Sequence, residues 1–372
     1  MFVYIIMLLL TYIFALLSRI TNRGDQYILD NKSILYKKHN TLELTISKVS
    51  LLLSFFSIWV VAGLRVNVGT DFHEYRTLFY NFYDLSFNST VNIELFYFYL
   101  NKLIGLFTQN PQWLFIISAF IIYIFYYQVI VKECNYIELA VFLFISFGFY
   151  FSSFNILRQW IACAIIFYAF LFLFNKQLIR FLIATIIASL FHITAIIVIP
   201  LYFLIRKLRK NTTRILIMLC ATIISFMPNF ILNNINNVLI SINFNQKYFK
   251  YIDESASSGA FTYPLFCLIV FFGYFLVRYK IVEINKNSEF HINILTVAFV
   301  ISILGQNLLI FARLHFYFLP ILIIIIPNII EAFKRETKII AYFSVLILGF
   351  VFMIYILNHN GGEPLPYISI FN

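Results

Sequence analysis

The chain has 372 residues, of which 62% are hydrophobic and only 12% are charged, and its mean hydropathy is +0.88. A soluble domain needs a larger polar fraction for its surface, so this composition excludes an ordinary soluble enzyme and indicates a polytopic membrane protein. The net charge of +11 is divided among short loops rather than along one basic element, which argues against a nucleic-acid partner.

Long apolar runs recur along the whole chain, and a helix needs about 20 such residues to cross a bilayer. The predicted spans are residues 2–18, 47–64, 112–130, 138–153, 156–174, 214–232, 263–279, 291–310, 314–331 and 339–357. A further apolar segment, 178–205, is long for one crossing and short for two. The sequence predicts an all-α polytopic integral membrane protein with about 11–12 transmembrane helices, forming a single membrane domain over residues 1–372.

Charge bias predicts the orientation of these helices, because cytoplasmic loops carry an excess of Lys and Arg. The basic loop 19–48 is therefore predicted to be cytoplasmic, which places residues 65–111 outside. A single crossing by residues 178–205 would then put the later basic loops outside as well. We instead predict a pair of short helices, or a re-entrant hairpin, with His192 at its outer apex. The outer face then carries the C-terminal tail and these candidate side chains: Arg65, Asp71, Arg158, His192 and Arg313.

The stretch from Arg65 to Arg76 carries five ionisable groups in twelve residues directly after an apolar span. It combines an Arg at a helix end, a Gly-Thr-Asp turn and an amphipathic run that begins at Tyr75. We interpret this stretch as one wall of an active site. Asp71 is the preferred carboxylate, although a carboxylate in an outer loop is by default a solvated turn residue.

Two outer loops, 65–111 and 231–262, are predicted to face the substrate. Residues 92–108 mix apolar side chains with polar ones at amphipathic spacing, which favours a helix lying in the membrane interface rather than across it. Glu94 at its start is a secondary carboxylate candidate, ranked below Asp71.

Three basic side chains lie at the ends of apolar runs or inside them. Arg158 follows Asn155 and precedes Gln159 near the start of a helix, where a cation is unfavourable unless an anion binds there too. The alternative is an Arg that extends to lipid headgroups. His192 lies deep in an apolar run, where it either bonds a backbone carbonyl or serves the reaction.

Arg313 lies between two apolar runs, with Tyr317 one turn further along the same helix face. A simple anchor at a helix end is the alternative interpretation. Separated arginines on one membrane face nevertheless favour a multiply charged anion, because guanidinium groups bind phosphate bidentately. No acidic pair with metal-binding spacing occurs in the predicted outer loops, so we predict metal-independent chemistry without a cofactor.

Four motifs occur in order along the chain: R-V-N-V-G-T-D-F-H-E-Y from Arg65, N-I-L-R-Q-W-I-A around Arg158, A-S-L-F-H-I-T-A around His192 and A-R-L-H-F-Y-F around Arg313. With these motifs the chain resembles the EpsG-like branch of the bacterial Wzy-type polymerases, which polymerise repeat units of O-antigen, capsule or exopolysaccharide. The resemblance covers roughly residues 45–357. It implies a GT-C-like membrane glycosyltransferase of the inner, or plasma, membrane whose active site faces the periplasm or the outside.

The resemblance further implies an undecaprenyl-pyrophosphate-linked oligosaccharide donor and acceptor, with a chain-length regulator and a flippase as partners beside membrane lipid. We assign pyrophosphate binding and leaving-group stabilisation to Arg158, His192 and Arg313, and the role of base or orienting group for the acceptor hydroxyl to Asp71. The substrate-binding candidates are Arg65, Tyr75, Asn155, Gln159 and Tyr317. Two alternatives stay open: a flippase or transporter for lipid-linked glycans, and an O-antigen ligase.

Overall fold

The computed structural model describes residues 1–22, 29–30, 33–34, 41–84, 93–227, 261–306 and 308–371. In these ranges the chain is helical, apart from one antiparallel pair of two-residue strands, β1 (Leu29–Asp30) and β2 (Ser33–Ile34). The all-α fold class is thus confirmed. The predicted outer loop 231–262 lies outside the described residues, except for its last two positions.

The helices follow the predicted spans closely in the first part of the chain. They are α1 (Phe2–Thr21), α2 (Thr41–Gly63), α3 (Phe72–Asp84), α4 (Leu95–Gly105), α5 (Gln112–Glu133), α6 (Ile137–Ser146), α7 (Phe149–Ser152), α8 (Leu157–Phe174), α9 (Leu178–Phe191), α10 (Val198–Lys207) and α11 (Asn211–Ser225). The later helices are α12 (Thr262–Leu276), α13 (Arg278–Ile284), α14 (Ser288–Leu304), α15 (Leu309–Leu314), α16 (Leu322–Ala332) and α17 (Arg335–His359).

Among the described residues, five helices are long and apolar enough to cross a membrane, namely α1, α2, α5, α8 and α17. The number rises to seven if two bent pairs each count as one span: α12 with α13, bent by 87°, and α15 with α16, bent by 41°. These helices make the chain a multi-pass membrane protein. The total of about 11–12 spans stays a prediction, because the helices at several other predicted spans have only 10–17 residues.

Two predicted spans are interrupted for local reasons. The span 138–153 divides into α6 and α7 at Gly148, whose φ of 83° is left-handed and ends α6. The span 314–331 begins with two short 3₁₀ turns, His315–Tyr317 and Leu319–Ile321, before α16. A hydropathy pattern does not register such breaks, because the side chains stay apolar across them.

The contacts divide the chain into two compact units. The first comprises residues 1–168, 187–193 and 334–372, and the second comprises residues 169–186 and 194–333. Each unit is assembled from separate stretches of chain, so this division does not test the prediction of a single membrane domain.

In the first unit, α1 and α2 pack side by side through small hydroxyl side chains. The Ser54 hydroxyl donates to the Thr11 carbonyl at 2.8 Å, and the Ser18 and Ser47 hydroxyls lie 3.2 Å apart. Small polar residues let helices approach closely where no water can satisfy their backbones. The packing therefore fixes the end of α2, from which the Arg65 loop departs.

Helices α9 and α10 form the predicted pair of short helices; residues 178–186 of α9 and all of α10 belong to the second unit, and residues 187–193 belong to the first. A 3₁₀ turn, Ile193–Ile197, follows α9, and His192 lies at the break between them. The Phe181 and Tyr202 rings, on the two helices, have centroids 4.9 Å apart, so the chain reverses direction between them. The pair of short helices is thus confirmed, whereas the side of the membrane on which His192 lies stays a prediction.

The close approach of α15 to the end of α14 gives a stability prediction. A Cβ atom on Gly305 would lie 2.8 Å from the backbone nitrogen of Ala312, which no side-chain rotation can relieve. We expect Gly305→Ala to destabilise the protein by about 1–3 kcal/mol, the usual cost of overpacking. Thermal unfolding in detergent measures the effect. The matched control is Gly361→Ala, because a Cβ there meets nothing within 4 Å; equal melting temperatures for both variants would contradict the prediction.

Candidate functional site

At one end of the first unit, the loop after α2 is joined to the C-terminal tail by backbone hydrogen bonds. The amide of Val66 donates to the carbonyl of Ile368, and the amide of Gly69 donates to the carbonyl of Glu363, both at 2.9 Å. The tail therefore lies beside the predicted active-site wall and restrains it.

Arg65 is buried at the start of this loop, with 1% of its surface exposed. Its guanidinium donates to the backbone carbonyls of Ala62 and Phe154 and lies 4.6 Å from the Phe154 ring centroid and 5.0 Å from that of Phe115. The sequence made Arg65 a substrate-binding candidate. In the structure its contacts instead tie the end of α2 to the residues that precede α8.

Asp71 caps the beginning of α8. Its Oδ2 accepts a hydrogen bond of 2.8 Å from the backbone amide of Ile156, and its Oδ1 accepts one of 3.0 Å from the Thr70 hydroxyl. Ile156 has a φ of +40°, which is unusual for a β-branched residue and needs such a restraint. Both carboxylate oxygens of Asp71 are thus already used as acceptors.

Asn155 completes this junction. Its Oδ1 accepts from the amide of Asp71 at 3.3 Å, and its Nδ2 donates to the carbonyl of Gly362 at 2.8 Å. A Cβ on Gly69 would lie 2.7 Å from the Asn155 side-chain oxygen, and φ of Gly69 is +98°, so this position requires glycine. The substrate-binding candidate Asn155 therefore connects the loop, the tail and the start of α8 by hydrogen bonds.

Glu94, which directly precedes α4, brings two predicted cations together. Its Oε2 accepts from Nη1 of Arg158 at 2.7 Å, and its Oε1 lies 3.1 Å from Nδ1 of His192. The side chain of Glu94 is 11% exposed, compared with 24% for Arg158 and 17% for His192. We call these three residues the Glu94 cluster.

The charge state of Glu94 follows from its surroundings. Burial raises the pKa of its carboxyl, but the hydrogen bond from His192 and the charge of Arg158 outweigh burial and lower the pKa from 4.5 to about 2. Glu94 is consequently a carboxylate at neutral pH.

Two buried tyrosines surround the Glu94 cluster. The Tyr75 and Tyr97 ring centroids are 5.9 Å apart, and the guanidinium carbon of Arg158 lies 5.9 Å from the Tyr97 centroid. Burial raises the pKa of Tyr75 to about 12, although the neighbouring Arg158 opposes this effect. The predicted substrate-binding residue Tyr75 therefore packs against the cluster, and Gln159, the next predicted one, is buried in α8.

The EpsG family model matches residues 48–369, which include the whole Glu94 cluster and its supporting loop. The chain belongs to the EpsG family. Membership makes it a membrane protein of the polysaccharide polymerase type, with glycosyltransferase-like activity. No curated protein and no solved structure matches the chain.

The fourth predicted basic residue of this EpsG protein, Arg313, belongs to the second unit. It lies in the last turn of α15 and is partly exposed. Tyr317 is fully buried in the following 3₁₀ turn, with its hydroxyl 2.9 Å from that of Thr194. The Glu94 cluster is formed by residues of the first unit, and the role of Arg313 in pyrophosphate binding stays a prediction.

A cavity of about 190 Å³ opens in the predicted outer loop 65–111 of the EpsG protein. Arg76, Tyr80, Asn110 and Gln112 supply its polar lining. Gln112 also donates to the carbonyl of Gly63 at 2.6 Å, which anchors the cavity wall to the end of α2.

In the part of the chain that the structure describes, no group of three or more His, Cys, Asp or Glu could hold a metal ion, and metal independence stays a prediction.

The sequence ranked Glu94 below Asp71, and that ranking stays a prediction, but the structure places Glu94 between Arg158 and His192. The signal that favours it is electrostatic: two basic side chains near one membrane face need a counter-ion once they are buried. Glu94 is the carboxylate at the start of the predicted interfacial helix, but spacing along the chain does not connect residues 94, 158 and 192. The three-dimensional contacts alone make that connection.

The pKa of Glu94 predicts an acid-dependent part of stability. Because its folded pKa of about 2 lies below the reference value of 4.5, the ionised carboxylate stabilises the fold above about pH 4.5, and this contribution is lost as the pH falls towards 2. We expect the wild type to lose on the order of 3 kcal/mol over this range, and Glu94→Gln to lack this part of the acid dependence. Thermal unfolding in detergent from pH 7 to pH 2 measures it.

The matched control for this experiment is Glu74→Gln, which removes an exposed carboxylate of α3 and should keep the wild-type acid dependence. An identical acid dependence in the wild type and in Glu94→Gln would contradict the ion pairing of Glu94.

The capping contact of Asp71 gives a second prediction at this site. Asp71→Ala removes the acceptor of the Ile156 amide and should destabilise the protein by about 1 kcal/mol, a typical cost for losing a helix cap. Asp71→Asn keeps one side-chain oxygen and should lose much less. Melting temperatures of the two purified variants make the comparison; equal losses would show that the cap is not what Asp71 contributes.

Proposed function

We propose that this EpsG-family protein joins undecaprenyl-pyrophosphate-linked oligosaccharide repeat units on the extracytoplasmic side of the inner, or plasma, membrane. The growing glycan would pass from its lipid pyrophosphate to a sugar hydroxyl of another lipid-linked repeat unit. The observation that carries this proposal is the Glu94 cluster, which holds a guanidinium, an imidazole and a carboxylate together within the first unit.

Arg158 suits the donor side of this reaction. Glu94 bonds its Nη1, Tyr75 also hydrogen-bonds its side chain, and 24% of that side chain is exposed, so an anionic ligand can approach the guanidinium. Arg158 also lies in the first turn of α8, where the helix dipole favours an anion. A fixed cation at this point stabilises the charge that develops on a departing pyrophosphate.

The cavity beside Arg76 and Tyr80 suits the sugar part of a substrate. Its lining combines a guanidinium, a phenol and side-chain amides, which are groups that bind hydroxyls and pack against sugar faces. The cavity belongs to the same unit as the Glu94 cluster. The proposed acceptor region therefore lies in the outer loop 65–111 that the sequence singled out.

The charge distribution favours a transferase over a flippase. A flippase should line a path through the membrane with charged groups, whereas Arg158 and His192 both lie within 3.1 Å of the same carboxylate in one cluster. An O-antigen ligase would share the donor chemistry and differ in its acceptor. The experiment below separates these alternatives.

Deletion of the gene, followed by gel electrophoresis of the surface glycan, tests the function. A polymerase deletion should remove the ladder of long chains and leave a single repeat unit on its acceptor; complete absence of repeat units would instead indicate a flippase or a ligase.

In the deletion strain, a plasmid carrying Arg158→Ala should fail to restore the ladder at normal expression. Arg180→Ala, which removes an exposed arginine of α9, is the matched control and should restore it. A full ladder from Arg158→Ala would remove Arg158 from the proposed centre.

A further inference from the structure

The His192 ring is bound to Glu94 by one defined nitrogen. Nδ1 lies 3.1 Å from Oε1 of Glu94, while Nη1 of Arg158 lies 2.7 Å from Oε2. Because both oxygens of the carboxylate are engaged, its plane and position are restrained. The imidazole in turn is held by a group that itself cannot rotate freely.

This contact selects one form of the imidazole. An ionised carboxylate only accepts hydrogen bonds, so the proton must lie on Nδ1 of His192. In the neutral ring, Nε2 then carries a lone pair and accepts a proton. With a neutral imidazole the Glu94 cluster holds one positive and one negative charge, which is the balanced state for a largely buried site.

We propose that His192 is the general base of the reaction and that Glu94 is a positioning residue, which orients the imidazole and keeps its proton on Nδ1. This inference rests on the polymerase function proposed above. Nε2 of His192 takes the proton from the acceptor hydroxyl as its oxygen forms a bond to the anomeric carbon of the donor. The bond from that carbon to the pyrophosphate oxygen breaks, and its electron pair leaves with the lipid pyrophosphate. The resulting imidazolium is stabilised by Glu94.

The geometry favours His192 over Asp71 for this role. A general base needs an available lone pair within about 2.6–3.2 Å of the proton that it removes. The Asp71 carboxylate is held at the start of α8 by bonds from the Ile156 amide and the Thr70 hydroxyl. His192 uses Nδ1 for Glu94, which leaves Nε2 on the opposite side of a ring whose side chain is 17% exposed.

The proposal also differs from the pyrophosphate-binding role expected for His192 from the sequence. A phosphate ligand would be an imidazolium that donates from Nε2, whereas a base is a neutral ring that accepts there. The two roles therefore require opposite protonation states during turnover. A pH profile and a substitution by a permanent cation distinguish them.

Around His192, Glu94 before α4 and Arg158 of α8 form the ion pairs, and Tyr75 of α3 and Tyr97 of α4 interact with Arg158. The carboxylates of Asp71 and Glu74 act on the same two tyrosines. Removal of the Glu94 charge takes away the carboxylate that contacts the imidazole. Loss of this carboxylate must then disfavour the imidazolium.

The first test measures initial rates of polymer formation from pH 5 to pH 9. Purified full-length protein in phospholipid vesicles is supplied with lipid-linked repeat units extracted from the deletion strain. The wild-type rate should fall on the acidic side as the imidazole becomes protonated. Glu94→Gln should lower kcat at least tenfold and move the acidic limb to lower pH. Asp71→Asn should leave this limb at the wild-type pH.

The second test replaces the imidazole. His192→Asn keeps an N–H near the position of Nδ1 but has no group at Nε2, so kcat should fall by about 10²-fold or more with little change in KM for the donor. His192→Arg supplies a permanent cation and should be as inactive as His192→Asn. Size-exclusion profiles of the two variants confirm that each is folded, and Glu94→Gln tests the proposal separately if either is not.

The outcomes separate the inference from the function on which it rests. Substantial activity in His192→Arg, or a Glu94→Gln variant with an unmoved limb and an unchanged kcat, would overturn the base assignment while the wild type still polymerises. An acidic limb that disappears in Asp71→Asn would return the role of base to Asp71. A wild-type protein that forms no polymer at any pH would instead refute the proposed function.

Discussion

The bridge that Glu94 makes between Arg158 and His192 is the interaction on which the candidate site depends. A charged group removed from water without a partner costs several kcal/mol, on the order of the whole stability of many domains. The chain meets this cost with a carboxylate that uses both oxygens, at 2.7 and 3.1 Å. The same two contacts orient the guanidinium and the imidazole. One carboxylate therefore both balances the buried charge and positions the two basic side chains of the candidate site.

A second layer of contacts holds Arg158 in place for that bridge. Hydrogen bonds of Asp71 and Asn155 connect the start of α8 to the loop after α2. The C-terminal tail is hydrogen-bonded to Asn155 through the Gly362 carbonyl and to the loop through the Glu363 carbonyl. Arg65 adds a buried link from α2 to the residue before this junction. The polar residues of the stretch from Arg65 to Asp71 therefore bond mainly to backbone groups, and these bonds hold the start of α8, where Arg158 lies.

Buried ion pairs elsewhere in the protein show what distinguishes the candidate site. In the first unit, Arg19 bonds Glu138 at 2.9 Å, and Glu138 is fully buried. In the second unit, Arg214 is also fully buried and donates to Asn293 at 2.7 Å and to Glu289 at 2.6 Å. Each of these pairs has one member with no exposed surface. All three members of the Glu94 cluster keep some exposure, which a site that receives a substrate requires.

Composition and apolar periodicity determined much of this protein without any tertiary information. They established the all-α membrane class, most helix positions and the break at His192, because hydropathy reports directly on burial in lipid or protein. The motifs around Arg65, Arg158 and His192 also indicated the EpsG family before the family match. Only the tertiary structure placed Glu94 between Arg158 and His192, and Asp71 against the residue before α8. Pairing between residues 94, 158 and 192 depends on how separate helices pack, and the spacing of residues along one chain does not encode that packing.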